Sequence, residues 1–186
     1  AFMVPLGLSQ AATVRVGLAV GRREAAQARR AAGVAFLFCI VCTLLAGIVF
    51  LLLPSLLVRQ FLDLSLPESA AVLATGVTFL AVMAAFQLLD GIQVVAMGIL
   101  RGLKDIRVPT LITCLGYWVI GFPLAVALGF LAQWRGLGVW LGLTAGLLVA
   151  ASLMVLRVRR SLQLFAARLE REDCDTLPSP PLPATV

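Results

Sequence analysis

Five long apolar runs separated by short polar connections dominate the pattern of this chain, at about 1–20, 31–58, 70–100, 108–132 and 136–156. Each is long enough to cross a bilayer as a helix, which takes about 20 mainly apolar residues. The pattern predicts an all-α fold, a polytopic membrane helical bundle with five transmembrane helices. Composition agrees: 61% of the 186 residues are hydrophobic, 13% are charged and the mean hydropathy is +1.05, well beyond what a soluble core of this size requires.

Charge adds an orientation. Of the 15 Lys and Arg residues, 13 lie beside alternate connections. Five are Arg15, Arg22, Arg23, Arg29 and Arg30, three are Arg101, Lys104 and Arg107, and five are in the C-terminal region, whereas the other two connections hold only Arg59 and Arg135. By the positive-inside rule the first and third connections and the C-terminus are cytoplasmic, in an inner (plasma) membrane. The net charge of +6 therefore reports topology, and no nucleic-acid partner is expected, because no soluble surface surrounds the basic groups. With that orientation residue 1 falls on the outer side, and Ala1-Phe2-Met3-Val4-Pro5 reads as mid-helix sequence without a leader. The expectation is a truncated chain whose N-terminal part holds further spans.

Within the first span, Gln10, Thr13 and Gly17 share one side of a 3.6-residue helix, facing either protein and water or a neighbouring helix to which they hydrogen-bond. Arg15 lies near the cytoplasmic edge and can snorkel to it. The basic connection that follows, 21–30, is expected to lie along the inner headgroups. In the second span Cys39 and Cys42 have a CxxC spacing, but the chain has no histidine and no second cysteine pair nearby, so both read as packing residues. Ser65 and Glu68 form a capping-box pattern that starts the third span near Leu66. Pro123 predicts a kink in the outer half of the fourth. Gly138, Gly142 and Gly146 strip one face of the fifth, so that another backbone can approach. Residues 1–160 form the membrane unit and 161–186 a cytoplasmic tail. The stretch from Arg157 to Arg171 is amphipathic and basic, and the last ten or so residues are Pro-rich and expected to be disordered.

The candidate chemistry centres on Asp90, the one carboxylate well inside an apolar span. An acid at bilayer depth costs about 2.5–3.5 kcal/mol on insertion scales, so it faces a bundle interior or an aqueous path. Gln87, Asp90 and Gln93 fall at i, i+3 and i+6, a polar sector about 120° wide at 100° per residue. Met83, Phe86, Val94 and Met97 border it with adaptable apolar groups suited to a bulky organic ligand. The cation-binding candidate is Asp90; the candidate cation or substrate pathway comprises Gln87, Gln93, Met83, Phe86, Gln10 and Thr13. The bland alternative is that Asp90 only bonds across to another helix.

Three segments together resemble the multidrug and toxic compound extrusion (MATE) family. They are 3–17 with Gly21-Arg22; Gln87-Leu88-Leu89-Asp90-Gly91-Ile92-Gln93 with 98–109; and Gly136-Leu137-Gly138-Val139-Trp140-Leu141-Gly142. The resemblance covers about 1–160 and implies that the chain is the end of a twelve-helix transporter, its spans being helices eight to twelve within the C-terminal of two six-helix lobes. It further implies alternating access, with an exported organic compound exchanged for an entering Na⁺ or H⁺, and no cofactor. The position matching Asp90 belongs to the cation site of sodium-coupled members. Those members often carry a tyrosine one turn before this acid, where this sequence has Phe86. Desolvation favours the neutral form of a carboxylate, which keeps proton exchange at Asp90 open beside sodium.

The partners implied are the lipid bilayer, a small organic and cationic substrate, and the missing N-terminal lobe. Two other functions compete. A lipid-linked precursor flippase would want several basic residues in its cavity, whereas these spans contain only Arg15. A nontransporting truncated remnant is the other, since five spans alone do not form a two-lobed path. No catalytic function is expected: there is no phosphate loop, no G-x-S-x-G elbow and no intramembrane carboxylate pair.

Overall fold

The computed structural model describes residues 2–60 and 69–176. The expected helix start at Ser65 to Glu68 and the Pro-rich end lie outside the described residues. Seven α-helices are described: α1 (Met3–Gly21), α2 (Ala25–Leu52), α3 (Pro54–Arg59), α4 (Ser69–Gly102), α5 (Arg107–Cys114), α6 (Phe122–Val126) and α7 (Arg135–Thr176). Two π-helical stretches, Leu115–Gly121 and Ala127–Leu131, join α5 to α6 and extend α6, making one span of Arg107–Leu131. Among the described residues, five helical segments are long and apolar enough to cross a membrane, the number expected from the apolar runs.

Helix α4 is the hub, packing against α1, α2 and α7, while α7 also packs along the segmented fourth span. The sequence permits this because small residues remove side chains where helices cross. A Cβ added at Gly98 would meet the backbone and hydroxyl of Ser9, and one at Gly102 would come within 2.9 Å of the Thr13 carbonyl. The stripped face of α7 is where the glycine spacing placed it. A Cβ at Gly146 would lie 2.5 Å from the Gly116 carbonyl, and one at Gly142 would run into the backbone of Leu124 and Ala125. Such close approach is how helices gain contact in lipid, where burial of apolar surface supplies no net drive.

The elements differ from expectation at three places. The basic connection is shorter than the sequence suggested: α2 starts at Ala25, so Arg29 and Arg30 sit in its first turns rather than along a separate surface segment. Its far end breaks at Leu53, φ −122°, before Pro54. Proline disfavours helical geometry in the residue before it, and Pro54 then serves as the first residue of α3. In the fourth span, Pro123 comes with widened π turns on both sides. Proline lacks the N–H of the regular ladder, and such shifts accommodate the loss.

The short connections after α1 and α4 turn through residues in the left-handed region, Arg23 at φ 61° and Lys104 at φ 63°. In each, the next N–H reaches back five residues, Glu24 to the Ala19 carbonyl and Asp105 to the Leu100 carbonyl, both at 2.9 Å. These are Schellman closures that satisfy the helix ends. The amphipathic stretch expected after span five is helical and joins it without a break. No Gly or Pro interrupts 147–176, and Val158, Leu162 and Phe165 carry the apolar stripe of α7 onward into the core cluster shared with α2 and α4. At 1.5 Å per residue the 42-residue α7 is about 63 Å long, twice the hydrocarbon thickness of about 30 Å. Its projecting part is tied down by polar contacts. Arg157 pairs with Asp105 at 2.7 Å, Ser161 donates to the same carboxylate, and Arg23 pairs with Glu172. The first and third connections and the end of α7 therefore lie together.

Gly98→Leu forces apart two backbones and should destabilise the bundle by about 1–3 kcal/mol or prevent assembly. Gly7→Ala and Gly33→Ala, where an added Cβ meets nothing within 4 Å, should leave it unchanged. Thermal unfolding of the three variants in detergent, followed by the fraction remaining monodisperse, separates the two outcomes.

Candidate functional site

The middle of α4 carries the polar sector, and its neighbours set what each group can do. Asp90 is partly buried, and among the described residues no Lys or Arg forms an ion pair with it. The next residue, Gly91, is a contact point. A Cβ there would come within 2.8 Å of Thr43, 3.0 Å of the Cys39 sulfur and 3.4 Å of Pro5. Helices α1 and α2 thus close on α4 beside the carboxylate. Thr43 keeps its hydroxyl within α2 by donating to the Cys39 carbonyl at 2.8 Å, which makes that wall apolar toward α4. Cys39, Cys42 and Cys114 are free thiols, and Cys39 is fully buried at this contact, in line with a packing role.

Gln93 is the most enclosed member of the sector, 4% exposed. Its side-chain oxygen accepts a hydrogen bond from the Tyr117 hydroxyl at 3.2 Å. Tyr117 sits in the π-helical stretch Leu115–Gly121, between two glycines that let this part of the span lie against α7. Tyr117 is the functional candidate that sequence reasoning missed. The available signal was that it is the only tyrosine in the chain, within an apolar run between Gly116 and Gly121.

The remaining candidates divide. Phe86 stacks edge-on against Trp140 of α7, with ring centroids 5.6 Å apart at 84°, so the aromatic group one turn before Asp90 joins α4 to α7. Met83 and Gln87 are partly exposed on α4. Thr13 is taken up in the α1–α4 crossing, where its hydroxyl lies 2.9 Å from the carbonyls of both Ser9 and Gly98. Ser9 donates to the Val94 carbonyl at 2.8 Å in the same seam. Gln10 faces outward from the described helices. The structure joins Gln93 to Tyr117 one turn of α4 beyond Asp90, while Thr13 belongs to a helix contact and Gln10 stands apart from that pair. Carboxylate, amide and phenol oxygens on two helices are the donor types suited to a hard cation or to a hydrogen-bonded proton carrier.

The described residues form a bundle of five helical segments long and apolar enough to cross a membrane, with a carboxylate near the middle of its hub helix. Residues 1–127 match the MatE family model, and the chain belongs to this family of MATE transporters. It is 47% identical over 156 residues to the probable multidrug resistance protein NorM of Mesorhizobium japonicum, covering 84% of this chain and 33% of that protein. It is 46% identical over 166 residues to the probable multidrug resistance protein NorM of Brucella suis, covering 89% and 35%. Its fold matches the crystal structure of the eukaryotic MATE transporter AtDTX14 with a TM-score of 0.71 at 24% identity, over 89% of this chain and 37% of that one. The chain thus spans about a third of the length of the curated relatives it matches.

Removing the Tyr117 hydroxyl tests whether that contact is mainly structural. Tyr117→Phe should lower stability by only about 0.6 kcal/mol, the average for an interhelical hydrogen bond in a membrane protein. A much larger loss in thermal unfolding would show that this hydrogen bond is a main tie between α4 and the fourth span.

Proposed function

We propose that this chain forms most of the C-terminal lobe of a secondary active antiporter that exports organic, mainly cationic compounds in exchange for Na⁺ or H⁺ by alternating access. The observation that carries the reading is Asp90, an acid within an apolar span, unpaired with any base among the described residues and one turn of α4 from the Gln93–Tyr117 hydrogen bond. The names of the NorM relatives point to multidrug resistance, which fits an organic export substrate.

The chemistry follows from one charge serving two ligands. An ionised Asp90 attracts either the coupling ion or a cationic compound, and two cations close together in a low-dielectric site repel each other strongly. Loading one therefore releases the other, which is antiport. Gln93 and Tyr117 supply neutral oxygens that can turn toward an ion at Asp90 when it arrives. With Phe86 directed at Trp140, Tyr117 from the neighbouring span is the phenol available to this site. The Met83 and Gln87 part of α4 contributes a polarisable wall for a flat or bulky substrate.

The other lobe, supplied by the remaining two thirds of a relative-sized protein, provides the opposing wall. In this reading the basic connections and the end of α7 lie in the cytoplasm, as their charge requires. A lipid-linked precursor flippase is less well matched, because among the described residues no basic side chain pairs with Asp90.

Asp90→Asn in the complete protein, reconstituted in proteoliposomes, should abolish export driven by either an imposed Na⁺ gradient or an imposed proton gradient, while insertion is retained. The wild type assayed under each gradient separately identifies the coupling ion. Gradient-driven export at wild-type rate in the Asn variant would remove Asp90 from the coupling mechanism.

A further inference from the structure

A cavity of about 570 Å³ opens between α1 and α2, well away from the Gln93 and Tyr117 contact. Its α1 wall is built from Leu8, Arg15 and Arg22, spaced seven apart, and its α2 wall includes Gln27, Arg30, Val34 and Phe38. These are single ridges of two helices facing each other. Because the helices are joined by the basic turn at Arg22 to Glu24, both ridges are polar near the turn and apolar deeper in the span. The cavity is therefore graded, with three guanidinium groups at its mouth and Leu8, Val34 and Phe38 along its inner length.

The three arginines have no ion pair among the described residues; the two pairs present use Arg23 and Arg157. Glu24, the acid of the same turn, neutralises none of them. Three exposed guanidinium groups on the walls of one cavity, none of them ion-paired among the described residues, suit a compact anion able to accept several N–H donors at once, such as a phosphate. The exposed faces of Val34, at 53%, and Phe38, at 56%, call for hydrocarbon. One molecule supplies both. An organic cation fits poorly here, since three like charges would repel it. A polypeptide helix covering the groove would have to carry its own carboxylates to meet the three arginines.

We propose that this groove is a binding site for an anionic phospholipid from the leaflet on the side of the basic turn, with its phosphate held by Arg15, Arg22 and Arg30 and an acyl chain laid along Val34 and Phe38. Basic pockets between transmembrane helices take anionic headgroups in this manner. The site goes beyond the antiport reading and does not depend on it. A lipid wedged between α1 and α2 would brace two of the helices that close on α4 beside Asp90.

The test uses the full-length protein that contains this chain, titrated in detergent with phosphatidylglycerol or phosphatidylcholine and read by native mass spectrometry. Phosphatidylglycerol should bind at least about tenfold more tightly, and R15Q/R22Q/R30Q should remove the preference. K104Q/R107Q/R168Q, which takes three exposed charges from the same end of the molecule outside the cavity, should keep it. In parallel, a phosphatidylglycerol with a diazirine in its acyl chain, photolysed with the wild-type protein, should label the peptide covering residues 31–38. That readout is independent of whether the triple variant folds. Equal binding of the two lipids by the wild type would overturn the proposal, as would equal loss in both triple variants, which signals charge alone. Labelling confined to other segments, such as the α2 to α7 groove at 155–162, would overturn it as well, as would no labelling because the rest of the protein fills the cavity.

Discussion

Backbone proximity at glycine is the constraint on which the rest of this structure depends. In lipid, apolar side chains gain nothing by turning inward, so helices hold together where backbones come close and where polar groups bond across. Helix α4 does this through Gly91, Gly98 and Gly102 toward α1 and α2, and α7 does it through Gly142 and Gly146 toward the fourth span. The hydroxyls of Ser9 and Thr13 then reach carbonyls on α4 that a larger residue at 98 would have held out of range. Packing and hydrogen bonding thus depend on the same absent side chains.

Those close approaches also shape the polar centre. With α1 and α2 drawn tightly against Gly91, Asp90 at the next position is held beside a crowded seam rather than in open lipid. On the other side, the fourth span is irregular around Pro123. The π turns at Leu115–Gly121 change the angular spacing of side chains from that of a regular α-helix, and Tyr117 emerges where it can reach Gln93. Widened turns of this kind recur at functional sites because they place a side chain that regular helix geometry would direct elsewhere. Here the displaced side chain is the only phenol in the chain.

At the basic end, α7 continues beyond the membrane thickness and acts as a strut. The Asp105 carboxylate is shared between Arg157 and Ser161, and Arg23 meets Glu172 from the other basic turn. Partly exposed pairs such as these contribute little energy individually. Their value is geometric: together with the buried Val158 and Leu162 they tie the turns after α1 and α4 to one rigid helix. The lobe is therefore braced at that end, while Leu51, Leu52 and Leu53 near the other end of α2 remain exposed.

Much of this was legible in the sequence because membrane insertion is decided by local hydrophobicity. Five apolar runs of spanning length, the alternation of arginines between connections, the stripped glycine face of α7 and the isolation of Asp90 are all properties of contiguous residues. So were the motifs by which the family resemblance was recognised. What the linear pattern could not contain was which polar groups meet across helices. Thr13 and Gln10 looked equivalent on a helical wheel, yet one bonds to α4 and the other faces outward, because only the crossing of α1 with Gly98 distinguishes them. Likewise, Tyr117 lies 24 residues from Gln93, and their contact depends on a π register around Pro123 that no hydrophobic periodicity encodes. Local hydrophobicity determined the spans, and the close crossings and helical irregularities of the folded bundle decided which side chains form the candidate site.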